Sequence, residues 1–244
     1  MKRFFLIFIT ASLFTACKKE TNSANINSGG TKSDTSNIIN QPLSGYGPNI
    51  TDIDGNSYKT VYIGKQHWMA ENLKVSKYND GTLIPNVIDK TQWSELTTGA
   101  LCYYNNDIIN NAKFGKLYNW YTINPTFNNK NVCPKDWHVP NEIEWTKLID
   151  YLGGINVAGG KLKLNDDSWN LSDYKATNIS LFGAVPGGYR YIYGFEDIRR
   201  YGLWWTTTKK NEQARFIEIY YKNDTVNIED SYLSDGFSIR CIKD

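Results

Sequence analysis

Thirty-five aromatic side chains (8 Trp, 17 Tyr and 10 Phe) are spread through a chain of 244 residues. That density constrains the fold more than any other feature. A disordered chain would leave most of these rings in water, and burying each is worth several kcal/mol by area, of order 2–5. The chain must therefore build a large aromatic core. Charge gives it little else to do: Lys and Arg number 27 against 25 for Asp and Glu, a formal net charge of +2. A nucleic-acid binder needs a surplus of positive charge to displace counterions, so that class is excluded. With 2 His and 4 Cys the chain is poorly supplied for metal chemistry.

Residues 1–16, MKRFFLIFITASLFTA, do not belong to that core. Lys2 and Arg3 precede an apolar run from Phe4 to Phe14, the layout of a signal peptide and too short for a stable span. Without this leader the charges balance. Phe14-Thr15-Ala16-Cys17 resembles a bacterial lipobox, with Phe14 in place of the usual Leu. The resemblance implies that Cys17 becomes the first residue and carries lipid, such as palmitate, on its thiol and amine. Each buried methylene of an acyl chain contributes about 0.8 kcal/mol, so several chains anchor durably. The alternative is an ordinary signal peptide in which Cys17 is incidental.

Residues 17–44 are rich in Asn, Ser, Thr and Gly, with almost no large apolar residue before Ile38 and Ile39. Such a segment cannot offset its ordering entropy and reads as a flexible tether of roughly 25–30 Å. The charges at Lys18-Lys19-Glu20 loosely resemble surface-export signals of Bacteroidetes lipoproteins. The expected address is the cell envelope, as an outer-membrane lipoprotein facing either the surface or the periplasm.

Residues 45–244 contain no repeat and no second linker, so they are expected to form one domain. Tyr58–Ile63 and Trp68-Met69 are strand-like, and Asp54-Gly55 between alternating runs is a hairpin signal. Asp52-Ile53-Asp54-Gly55-Asn56 lacks the later acidic ligand of a calcium loop and reads as a turn. Asn79-Asp80-Gly81 marks another turn, and Leu101–Tyr104 is β-prone. One helix is easily placed. Asn141 can act as its N-cap, with Glu144 completing a capping box. Trp145, Leu148, Ile149 and Leu152 then form one apolar stripe before Gly153-Gly154 stops the helix. After Leu181, segments 182–185, 203–207, 214–221, 225–228 and 237–242 read as short strands between glycine turns. The class is α+β, irregular and loop-rich, with short antiparallel strands and few helices.

Several motifs then converge on a family. Val61-Tyr62-Ile63-Gly64, Trp68-Met69-Ala70-Glu71-Asn72-Leu73, Tyr118-Asn119-Trp120-Tyr121, Cys133-Pro134, Trp137-His138-Val139-Pro140, Pro186-Gly187-Gly188-Tyr189-Arg190, Trp204-Trp205 and Gly236-Phe237-Ser238-Ile239-Arg240-Cys241 occur in order. They resemble the Fibrobacter succinogenes major paralogous domain, whose members are commonly secreted or lipid-anchored. The segments around His138–Trp145 and Gly236–Cys241 also look like the "RLPTEAEWE" and "GFRC" motifs of formylglycine-generating-enzyme-like domains. The resemblance implies a C-type lectin-like domain with its termini near each other.

The same resemblance implies a disulfide between Cys133 and Cys241, since related folds return the final strand beside the segment before the first helix. Closing about 109 residues, it would contribute about 4–5 kcal/mol in the chain-entropy model; two separate buried thiols are the alternative. Cys102 reads as a small buried apolar residue. Formylglycine-generating oxidases use paired redox cysteines upstream of "GFRC", and Ser180–Phe237 contains no cysteine, so that chemistry is excluded. His67 and His138 have no Cys or His at ligand spacing, and neither sits in a nucleophile elbow. No cofactor is implied. Glu142 and Glu144 belong to the helix start. Asn165-Asp166-Asp167-Ser168 is a solvated turn or, alternatively, a cation site. Trp68, Trp120, Trp137, Trp145, Trp204 and Trp205 lie in the motifs and read as core.

The segment Tyr189–Tyr201 lacks clean periodicity and lies where lectin-like loops often bind ligands. Tyr191, Tyr193, Phe195, Arg199 and Arg200 are the candidate ligand surface, offering stacking faces and forked donors to a glycan or a surface protein. A partly buried hairpin with its arginines in solvent is the competing reading. Three functions remain open: a non-catalytic envelope binding or adhesion module, an enzyme acting on carbohydrate and derived from the formylglycine-generating-like fold, and a structural surface lipoprotein. The first is preferred. Membrane contact is expected through lipid on Cys17.

Overall fold

The computed structural model describes residues 44–124, 126, 130–170 and 176–244. The leader 1–16, the lipidation site Cys17 and tether residues up to 43 lie outside the described residues. The described residues form twelve strands: β1 (Ser44–Thr51), β2 (Ser57–Ile63), β3 (Gln66–Met69), β4 (Leu101–Cys102), β5 (Leu117–Tyr118), β6 (Trp137–His138), β7 (Tyr189–Tyr191), β8 (Gly194–Glu196), β9 (Tyr201–Lys210), β10 (Gln213–Tyr220), β11 (Val226–Tyr232) and β12 (Ile242–Lys243). Four short α-helices accompany them: α1 (Lys90–Ser94), α2 (Asn111–Phe114), α3 (Glu142–Tyr151) and α4 (Ala158–Leu162). The architecture is a set of small antiparallel sheets with few helices, as expected for the α+β class. Among the described residues no helix is long and apolar enough to cross a membrane.

The first sheet has the order β1-β2-β3-β12-β6. Its opening turn is made by Asp52: Oδ1 accepts the N–H groups of Asp54 and Asn56, each at 2.9 Å, and Oδ2 accepts the Tyr58 hydroxyl at 2.6 Å. These bonds commit Asp52 to the turn. Gly55 takes φ 85°, which the hairpin requires. At the other end Ile242 pairs with both Trp68 and His138, so the C-terminal strand inserts between β3 and β6. That insertion brings Cys241 beside Cys133, and the two form a disulfide with a Cα–Cα distance of 5.9 Å. Cys102 is a free, buried thiol.

In the second sheet, β9-β10-β11, residues 202–206 of β9 are buried on both faces. Successive strand residues point to opposite sides. Trp204 and Trp205, adjacent on β9, therefore enter different cores. Trp204 packs with Trp68, Trp145 and Phe182, and Trp205 with Phe216 and Phe237. Ordinary alternation along β10 sends Ala214 and Phe216 to one core and Ile217 and Ile219 to the other. Both β9 indoles donate a hydrogen bond: Trp204 Nε1 to Asn72 Oδ1 at 2.9 Å and Trp205 Nε1 to the Tyr118 carbonyl at 2.8 Å.

Helix α3 carries the expected capping box, with Asn141 Oδ1 accepting the Glu144 N–H at 3.0 Å and Glu144 Oε2 accepting the Asn141 N–H at 2.9 Å. Trp145, Leu148, Ile149 and Leu152 are buried. Two expected strands form differently. Residues 182–185 make only a single bridge, Lys163 to Ala184. In 237–242 only Ile242 joins a ladder; Phe237, Ser238, Ile239 and Cys241 bond instead to Tyr118, Leu203, Leu73 and Met69 in turn. Their backbone groups are satisfied by three different segments, around Met69–Leu73, Tyr118 and Leu203, so no regular strand is needed.

Candidate functional site

Hairpin β7–β8 presents Ile192 and Tyr193 at its two-residue tip. Period-two alternation puts Arg190 on one side and Tyr189 and Tyr191 on the other. Arg190 is buried; its guanidinium donates to the carbonyls of Val87 (2.7 Å), Ile88 (3.1 Å) and Asp89 (3.1 Å) and lies 4.3 Å from the Trp93 ring. This cation is a bolt that fixes the hairpin. On the other side Tyr191 stacks on Tyr189 at 4.4 Å and meets Phe237 edge-on at 6.3 Å.

Tyr191 and Tyr193 form one wall of a cavity of about 250 Å³. Gln213, Asp230, Tyr232 and Asp235 contribute to the opposite side. Tyr193 and Tyr232 stand at the rim, 77% and 66% exposed. The two acids differ. Asp230 is held by Lys210 at 3.0 Å and by Arg215 at 3.2 Å, and Arg215 also reaches Glu142 at 3.2 Å. Asp235 is only 3% exposed, and its Oδ2 accepts the Ser231 hydroxyl at 2.5 Å. Burial pushes the Asp235 carboxyl up to about 6. Burial, then the carboxylates of Asp235, Glu218 and Glu196, push the Tyr191 hydroxyl up to about 12.

The structure brings two of the five candidate residues into this cavity and places three elsewhere. Phe195 packs on Tyr104 at 5.4 Å and under Arg190 at 5.0 Å, on the opposite side of the hairpin from Tyr191. Arg199 donates to the Asp167 carbonyl at 2.9 Å, and Arg200 pairs with Asp197 at 2.7 Å. The five thus do not make one surface: alternation separates Phe195 from Tyr191, and both arginines are taken up by the chain itself. Tyr232 and Asp235 were missed. They stand outside every motif, more than 35 positions from Tyr193, and the backbone bridge between Arg190 and Gly236 brings their segment beside the hairpin.

The remaining candidates are structural. His138 Nε2 lies 2.9 Å from Glu144 Oε1, and Nδ1 lies 2.5 Å from Asp244 Oδ1. The Glu144 carboxylate raises the imidazole to about 9, against a smaller lowering by burial. Glu144 therefore caps α3 and holds His138 at once. Asp166 and Asp167 clamp Lys113 at 3.1 and 2.9 Å, which makes 165–168 a charge-paired turn. Among the described residues no group of three His, Cys, Asp or Glu could hold a metal ion. A second cavity of about 300 Å³ touches Arg240, but that guanidinium is fully buried and spent on Asn72 Oδ1 (3.0 Å), the Gly183 carbonyl (2.7 Å) and the Phe182 carbonyl.

A disulfide-stapled α+β domain with two tryptophan-rich cores and a tyrosine-rimmed cavity is thereby defined. The chain belongs to the Fibrobacter succinogenes major domain family, whose sequence model matches residues 61–243. No curated protein and no solved structure matches it.

Proposed function

We propose that this protein is a lipid-anchored binding module of the cell envelope, without catalysis of its own, that takes carbohydrate at the Tyr191–Tyr193–Tyr232 cavity. The cavity carries the reading: two exposed rings at the rim, a half-buried ring between them, and amide and carboxylate groups within. Rings offer stacking faces to sugars, and Gln213 and Asp230 offer a donor and acceptors to hydroxyls. A C-type lectin-like fold is the finer architecture we assign, on the strength of the motifs around His138 and Cys241. The envelope address follows from the leader and from Cys17 in its lipobox-like setting, with residues 18–44 as the leash of the domain at 45–244. The Cys133–Cys241 disulfide supports it, since such bonds persist in oxidising compartments.

Labelling with a palmitate analogue in a bacterial host tests the anchor. The wild type should take up label and sediment with membranes, and Cys17→Ala should do neither. Label on the Cys17→Ala variant would overturn that part of the reading.

A further inference from the structure

We infer that the cavity between hairpin β7–β8 and strand β11 takes a sugar bearing a free ammonium group, a hexosamine whose amine is not acylated. The inference rests on the carbohydrate-binding reading above and adds the charge of the ligand. Three observations carry it. The rings are tyrosines, whose faces are negative and attract cations. Tyr193 already holds one: Lys90 Nζ lies 5.7 Å from its ring centre.

Asp235 is the second observation. A buried carboxylate is ordinarily answered by a cation, because desolvating it unpaired is costly. Asp235 lines the cavity and is 97% buried, yet no Lys, Arg or His forms an ion pair with it among the described residues. Within the fold its carboxylate is met by the Ser231 hydroxyl at 2.5 Å and by the Tyr232 backbone N–H, both neutral groups. The neighbouring Asp230, by contrast, is answered twice, by Lys210 and Arg215. One acid is thus neutralised within the fold, and the other lines the cavity with no cation paired to it among the described residues.

The field around Tyr191 is the third. Asp235, Glu218 and Glu196 all act on its hydroxyl in the same direction, as expected where negative potential accumulates. The cavity therefore favours a positive ligand group beside Asp235, with the tyrosine faces around it. Its volume of about 250 Å³ suits a sugar ring. Gln213 and Asp230 are placed for hydroxyl groups, which a lysine side chain does not have.

The test is calorimetric titration of the full chain in detergent at pH 6.5 with three probes: a glucosamine tetramer, its N-acetylated counterpart, and Nα-acetyl-lysine amide. The glucosamine tetramer should bind at least tenfold more tightly than the other two. Asp235→Asn should bring the two tetramers within twofold of each other, and Tyr193→Ala with Tyr232→Ala should weaken both. Equal or tighter binding of the acetylated tetramer would overturn the ammonium inference and leave the carbohydrate reading standing. Lysine amide binding as tightly as the glucosamine tetramer would overturn the assignment to a sugar. Binding of neither tetramer would overturn the inference, and silence across a broad glycan screen as well would remove the binding reading itself. The comparison of wild-type affinities needs no variant to fold.

Discussion

Two titrating side chains place opposite pH signatures on stability. His138 is raised to about 9, chiefly by Glu144, from an ordinary value of 6.5. Its contribution is full below pH 6.5 and is lost as pH rises through about 9. The unfolding midpoint should fall over that interval, and His138→Ala should flatten the decline. Both partners are partly exposed, so solvent screening keeps the effect modest. Asp235 behaves in reverse. Its carboxyl is raised from 3.8 to about 6, so the native state holds the proton more tightly than the unfolded chain. The wild type therefore loses stability as pH rises through about 6, and at neutral pH the ionised group is a cost. Asp235→Asn should unfold at higher denaturant concentration than wild type at pH 7, with the gap closing toward pH 4. A less stable variant at pH 7 would mean that a cation holds this carboxylate in the fold. Such a cost is what a group kept for binding would show.

At the scale of elements, local chemistry decided what could be read in advance. Helix α3 was legible because its N-cap, capping box, apolar stripe and stop glycines all lie within fourteen consecutive residues. Removing the cap with Asn141→Ala should cost about 1 kcal/mol in a denaturation experiment. Helix α4, Ala158-Gly159-Gly160-Lys161-Leu162, was not legible, since two glycines read as breakers. They are present for closeness: a Cβ on Gly159 would lie 2.6 Å from the Asp224 carbonyl oxygen. Helix propensity alone predicts that Gly159→Ala stabilises by up to about 1 kcal/mol. The packing predicts the opposite sign, a loss of about 1–3 kcal/mol, and urea unfolding distinguishes them. The lining of the tyrosine cavity was half legible for a similar reason. Tyr191 and Tyr193, which line it, stand out because aromatic residues crowd their own segment. Phe195 was misplaced because a two-residue hairpin tip sends it to the other face. Tyr232 ends β11 and Asp235 lies in the turn that follows it, a distant segment that no local pattern announces.

For the whole molecule, the aromatic content called correctly for a large core, yet not for its division into two large clusters and a smaller one around Trp93. The split between the two large ones follows from one dipeptide, Trp204-Trp205, on a strand buried on both faces. The disulfide joins residues 108 positions apart and ties β12 to the segment before α3. Replacing Cys133 and Cys241 together by Ala should lower stability by about 4 kcal/mol, the upper range of the loop-entropy estimate; a loss below about 1 kcal/mol would show that the two cores alone hold the C-terminal strand in place. The central claim is that the tyrosine-rimmed cavity is a carbohydrate site, and a glycan array probed in parallel with the full-length wild type and the Tyr193→Ala/Tyr232→Ala double variant tests it most directly. The account predicts a defined set of glycans retained by the wild type and lost by the variant while its near-ultraviolet circular dichroism stays unchanged; the same glycans retained equally by both proteins, or none retained by either, would contradict it.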